Sequence, residues 1–285
     1  MQFSAKTSAK QLGILTFLTI GTIGSLISNT SAAHTEPEQS AEEHITLSAA
    51  TEFNGVQPGE SGLLAITLHI EEDWHTYWPG VSDSGFGVTL DIRNTGSITL
   101  DEPIWPTPHR YIQPGDILDH VYEDTATILV PFHVDEDAPI NEIIIFDIGA
   151  EFLVCSDICL PGKASTSTSI TIMDESSERS PTKSAKEIRK AYDNRPKAFN
   201  PKANDVRVQW IAKAAAIMFR DAKKIEFFPS TECSELAEPI TSGSTDSNRL
   251  IIKFMKKDDK VLAGRFRVHE RNKTVDYDIH LKAKQ

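Results

Sequence analysis

The sequence predicts an all-β protein, an immunoglobulin-like β-sandwich followed by a second, smaller β-rich domain. Three observations carry that reading. Short β-rich runs punctuated by Gly, Pro, Asn and Asp recur between residues 45 and 173. Residues 64–70 and 166–172 alternate polar and apolar side chains with period two, as half-buried strands do. After residues 174–181, which carry no apolar side chain, five further runs of the same kind occupy residues 205–285.

In chain order, the first element is an export signal. Lys6 and Lys10 precede an apolar stretch from Leu12 to Ile27, and Ser31, Ala32 and Ala33 supply a small-residue cleavage site, so residues 1–33 are expected to be removed. An uncleaved anchor is the alternative, but threonine, glycine and serine interrupt the run and leave it short of the ~20 residues that a span needs. Residues 34–44 are mostly polar and acidic and read as a flexible leader. Strands are expected at 62–70, 88–93, 97–100, 126–134, 143–154 and 165–173, which places the sandwich at 45–173. Residues 174–204 read as a linker with a short helix over 183–194, because Ala185, Ile188, Ala191 and Tyr192 recur at helical spacing and Asn194-Arg195-Pro196 ends it. The small β-rich domain, 205–285, has runs at 206–211, 222–228, 249–254, 261–268 and 274–281.

The formal charge is −12, and loss of Lys6 and Lys10 with the signal makes it −14. An acidic chain of this kind argues against nucleic acid as a partner. No stable membrane insertion is expected once the signal is cleaved, and export to an oxidising compartment is expected.

Redox chemistry concentrates at Cys155-Ser156-Asp157-Ile158-Cys159, two of the three cysteines in the chain. On an extended strand they would stand roughly 13 Å apart, so the backbone must turn if they bond, and Leu160-Pro161-Gly162 reads as the turn signal. A bridge closing so short a loop stabilises by only about 2 kcal/mol through chain entropy, which makes stability a weak reason for it. A redox-active dithiol is therefore the sharper reading. A static disulfide in a binding module and a Cu(I) site on two thiolates are the alternatives. Cys233 is left as a free thiol. His69, His75, His109, His120 and His133 lack metal-ligand spacing, and no cofactor is expected. Trp74, Tyr77, Trp78 and Trp105 are expected to pack rather than to form a ligand platform.

A set of motifs surrounds this site in sequence order: Trp74-His75-Thr76-Tyr77-Trp78, Asp83-Ser84-Gly85, Trp105-Pro106-Thr107-Pro108-His109-Arg110, Tyr122-Glu123-Asp124, Leu129-Val130-Pro131 and Val154-Cys155-Ser156-Asp157-Ile158-Cys159-Leu160-Pro161. Together they resemble the N-terminal periplasmic domain of DsbD-type thiol:disulfide interchange proteins, including the suppressor-of-copper-sensitivity branch. Phe227-Phe228-Pro229 and Leu262-Ala263-Gly264 look like that branch's second β-domain. The resemblance implies a protein-disulfide reductase in which Cys159 attacks and Cys155 resolves. It implies a cap over the disulfide, here about 113–120, with Tyr111, Ile117, Leu118, Tyr122 and Asp157 as cap or partner-binding residues. It also implies electrons arriving from a DsbD- or CcdA-like membrane carrier and passing to periplasmic thioredoxin-like or other thiol proteins. Because the sequence continues into no electron carrier or thioredoxin-like domain, that carrier is expected to be a separate polypeptide. Glu151 and Asp157 would oppose thiolate formation, and no cation lies between the cysteines to favour it.

Overall fold

The computed structural model describes residues 40–203, 205–258 and 260–283. The expected signal and most of the leader lie outside the described residues. The first part of the chain forms β1 (Ile45–Thr51), β2 (Gly55–Val56), β3 (Ser61–Ile70), β4 (His75–Tyr77), β5 (Thr89–Asn94), β6 (Ile98–Leu100), β7 (His109–Gln113), β8 (Ile117–Tyr122), β9 (Thr125–Val134), β10 (Ile143–Cys155) and β11 (Cys159–Ile172). One helix follows, α1 (Ala185–Asp193), and then β12 (Lys197–Ala198), β13 (Val206–Ile211), β14 (Ala214–Phe219), β15 (Lys224–Pro229), β16 (Ser244–Thr245), β17 (Arg249–Lys253), β18 (Val261–His269) and β19 (Thr274–Lys282).

Two sheets make the sandwich. One has the order β1-β3-β9-β6; the other runs β2-β11-β10-β4-β8-β7, with β5 also paired to β10. Alternation decides which side chains meet between them. Along β10, Ile144, Phe146, Ile148, Ala150, Phe152 and Val154 are buried while most of their neighbours face outward. They pack against Leu64, Ile66, Leu68, Ile128, Val130 and Phe132 of β3 and β9.

The longest hairpin, β10–β11, carries both cysteines at its tip. Cys155 and Cys159 are its last cross-strand pair, with Ser156, Asp157 and Ile158 as the turn. The reversal thus lies between the cysteines, and Leu160-Pro161-Gly162 is strand rather than the expected turn. Pro161 is tolerated because β11 is bonded on its outer side only to β2, at Thr171 and Ile172, so no ladder partner needs its missing N–H. Gly162 leaves room for Ala41: a Cβ there would sit 2.4 Å from the Ala41 Cβ and 2.8 Å from the Phe152 ring.

Strands β1, β7, β8 and β14 go beyond the expected runs. Alanine-rich β14 has weak strand propensity, and β8 buries Asp119 and His120, so composition hides them while pairing to β13 and β4 forms them. Helix α1 lies within the expected helical run. Its Ile188 is buried against Leu63, Ala65 and Leu129 of the sandwich.

The second region has two sheets, β12-β19-β18-β15-β16 and β13-β14-β17, around a core that includes Phe219, Ile225, Phe227, Leu250, Ile252, Phe254 and Phe266. Period two then splits one strand between two cores. Phe227 enters this one, while Phe228 enters the core of the sandwich with Trp78, Val88 and Tyr122. Three arginines close the seam. Arg265 donates to the Trp105 carbonyl at 2.7 Å, Arg267 to the carbonyls of Thr107 and Pro108, and Arg110 to those of Phe227, Pro239 and Ile240. The Trp-Pro-rich segment is therefore the sandwich's half of a clasp between the two β-regions.

Candidate functional site

Cys155 and Cys159 are joined by a disulfide with Cα atoms 4.1 Å apart, and Cys233 is free. Both features match the sequence expectation. Burial pushes the Cys233 thiol up, and its Sγ donates to the Val261 carbonyl, so it is a poor nucleophile.

The two sulfur-bearing residues differ in access. Cys155 is 1 % exposed, on the outward face of β10 but covered by Tyr77, Val121 and Leu153. Cys159 is exposed, as are Ser156, Asp157 and Ile158 of the turn. Of the two, Cys159 is the residue open to solvent. The Tyr77 hydroxyl donates to Cys155 Sγ at 3.3 Å. Burial raises the Tyr77 phenol, which stays protonated and available as a donor at neutral pH. It is placed to stabilise negative charge on the Cys155 sulfur.

Tyr77 is held by the Asp-Ser-Gly segment. Asp119, fully buried on β8, accepts from the Ser84 amide at 2.9 Å, the Ser84 hydroxyl at 2.7 Å and the Gln113 side chain at 2.7 Å. Asp83 accepts from the Leu118 amide at 2.7 Å. These bonds press Gly85, at φ +62°, onto the Tyr77 ring, where a Cβ would come within 2.4 Å. Asp83, Ser84 and Gly85 thus fix the surroundings of Tyr77, which in turn contacts the disulfide.

The stretch expected to be a cap loop is instead the β7–β8 hairpin, turning at 114–116. Tyr111 and Asp157 are exposed, and the Tyr111 ring lies 4.9 Å from that of His75, itself the cross-strand partner of Cys155. Ile117 is half-buried at the turn. Leu118 and Tyr122 are both buried, and Tyr122 donates to the Pro106 carbonyl at 2.8 Å. The exposed apolar residues of this end are Ile112, Ile158, Phe86 and Tyr111. Trp74, Trp78 and Trp105 do pack in or against the sandwich core, but Tyr77 does more than pack. Tyr77 and Cys155 are 78 residues apart, and no local pattern in the sequence announces that contact.

Charges are arranged sparingly here. Glu151 is paired with Lys163 across the hairpin. His120, buried beside Trp78 and Phe228, bonds the Val81 carbonyl, and burial lowers its pKa to about 4. Its unfolded value is about 6.5, so the unfolded chain binds the proton first as pH falls. Stability is expected to drop from about pH 6.5 downward and to have lost about 3 kcal/mol by pH 4 from this group. Urea midpoints measured between pH 7.5 and 4 test this; His120→Gln should flatten the profile, and an equally steep profile in that variant rejects the assignment.

Residues 42–170 match the family described as thiol:disulfide interchange protein DsbD, N-terminal. Among solved structures, the N-terminal periplasmic domain of ScsB from Proteus mirabilis is similar with 14 % identity and a TM-score of 0.54, over 87 % of this chain and 96 % of that one. The Neisseria meningitidis DsbD N-terminal domain in its reduced form aligns with 12 % identity and a TM-score of 0.26, over 50 % of this chain and 93 % of that one. No curated protein sequence matches the chain. At 14 % identity the ScsB likeness speaks to the fold, and it extends across both the sandwich and the second β-region.

Proposed function

We propose that this protein is a periplasmic electron relay, a reading supported by the match of residues 42–170 to the family of DsbD N-terminal domains. It takes electrons from a membrane carrier of the DsbD or CcdA kind and passes them to exported thiol proteins through Cys155 and Cys159. The observation that supports this most is the unequal access of the two cysteines, Cys159 exposed and Cys155 buried under a hydroxyl donor. Thiol–disulfide exchange proceeds by attack on one sulfur with the other leaving, and rate depends on which sulfur is accessible and how well the other carries charge. A bridge that only closed a three-residue turn would need neither asymmetry. In the reduced state Cys159 is the attacking thiol of this reading and Cys155 the resolving one, roles that the exposure of Cys159 supports. Exposed Ile158, Ile112, Tyr111 and Phe86 supply an apolar surface on which a partner docks.

Equilibration against glutathione buffers tests the reading. A relay disulfide opens at a potential well above about −300 mV, whereas a structural one stays closed there. Persistence of the bond under such conditions would leave the static binding module as the better account.

A further inference from the structure

We infer that His75 is the hydrogen-bond acceptor for the Cys155 thiol of the reduced protein, and that it thereby favours opening of the disulfide. The inference rests on the redox reading of Cys155 and Cys159 and assigns one further residue to that chemistry. His75 on β4 and Cys155 on β10 are directly opposed in an antiparallel pair. Directly opposed side chains share a face of the sheet with Cβ atoms about 5 Å apart. His75 shares that face with Tyr77, two residues on, whose ring lies 5.6 Å away and whose hydroxyl reaches the Cys155 sulfur.

His75 is 6 % exposed, and its Nε2 is buried with no hydrogen-bond partner. A buried unpaired polar atom costs on the order of 1–3 kcal/mol, so its persistence asks for a state in which it is paired. The oxidised bridge offers no donor. Reduction creates one on the neighbouring strand, the Cys155 S–H. Burial lowers the pKa of the imidazole, which keeps it neutral and able to accept near pH 7. Glu123 and Asp119 are the charged groups that act on it, Tyr77 and Tyr111 the rings against it, and Cys155 the group across the ladder.

The electron balance is that of dithiol exchange. A thiolate of a protein dithiol attacks Cys159 Sγ, the Cys155–Cys159 bond breaks, and Cys155 leaves with the electron pair toward the Tyr77 hydroxyl. The donor's second thiolate then displaces Cys159. The donor ends as a disulfide, and each released cysteine takes up one of the donor's two protons through solvent. The proton on Cys155 is the one that His75 receives as a hydrogen bond.

The test is the equilibrium constant for reduction of the full chain in glutathione buffers at pH 7, read by alkylation and mass, for wild type, His75→Phe and His75→Gln. His75→Phe should lower the constant about three- to tenfold, the worth of one net hydrogen bond. That fold-change corresponds to about 15–30 mV for a two-electron couple. His75→Gln, which keeps an acceptor, should stay within about twofold of wild type by the same measure. In ¹⁵N-labelled wild type, the His75 Nε2 resonance should shift between the oxidised and reduced forms, a readout that needs no variant to fold. An unchanged constant in His75→Phe, an equal loss in His75→Gln, or an unmoved resonance overturns the inference. If wild type itself cannot be reduced in these buffers, the relay reading is what fails.

Discussion

Cys155→Ser is expected to accumulate a mixed disulfide between Cys159 and an exported protein, whereas Cys159→Ser should accumulate at least about tenfold less, the ordinary consequence of removing the resolving rather than the attacking thiol. The argument is one of access. Cys159 sits exposed at the end of the hairpin, so in the Cys155→Ser protein it still reaches a partner disulfide, and nothing beneath it can release the product. In the reverse variant the surviving thiol is Cys155, 1 % exposed behind Tyr77, Val121 and Leu153. Both variants remove one sulfur and the same bridge, so loss of the bond is common to them and the variable is which thiol remains. Non-reducing gels of periplasmic extracts, followed by mass spectrometry of the captured species, read the result. Equal trapping by both variants would mean that burial does not set the roles; trapping by neither, with a bond that stays closed in glutathione, would reject the relay.

What could be read from the sequence was what lies close together in it. The cysteine loop is a local pattern, and so are the alternating runs of β3 and β11 and the β-rich run of β10; each appears where the sequence placed it, apart from the additional strand over 159–164. The site's supporting residues are not local. Tyr77 meets Cys155 and Asp119 meets Ser84 only because β4 lies between β10 and β8. No spacing along the chain encodes those contacts, which is why the Asp-Ser-Gly segment could be recognised as a motif before its purpose could be seen. The same holds for Trp105 to Arg110. Their carbonyls and guanidinium answer residues more than a hundred positions away. The cap loop that the resemblance implies at about 113–120 is instead part of the β7–β8 hairpin, because its ladder to β4 is set by tertiary pairing that no local pattern announces.

The seam between the two β-regions gives the largest expected change in stability. Phe228→Ala should destabilise the protein by about 3–5 kcal/mol, the usual cost of emptying a buried phenylalanine site. Phe228 is 1 % exposed, stands 5.4 Å from the His120 ring, and has the Arg267 guanidinium 5.7 Å over its face. Phe227→Ala empties a site of the same size one residue away, but in the core of the second region. The pair therefore separates coupling from local stability. We propose that the chain divides into domains near 174–204, and residues 174–180 are exposed, so limited proteolysis should cut there. Nicked wild type should still elute as one particle, because Phe228, the Arg110, Arg265 and Arg267 clasp and the Ile188 contact of α1 all remain. Phe228→Ala combined with Arg265→Ala should let the nicked fragments separate and should split the urea transition in two. Phe227→Ala should weaken the second region and leave the nicked halves together. Separation of the nicked wild type, or the same behaviour from both phenylalanine variants, would show that the alternation of Phe227 and Phe228 between two cores does not hold the regions together.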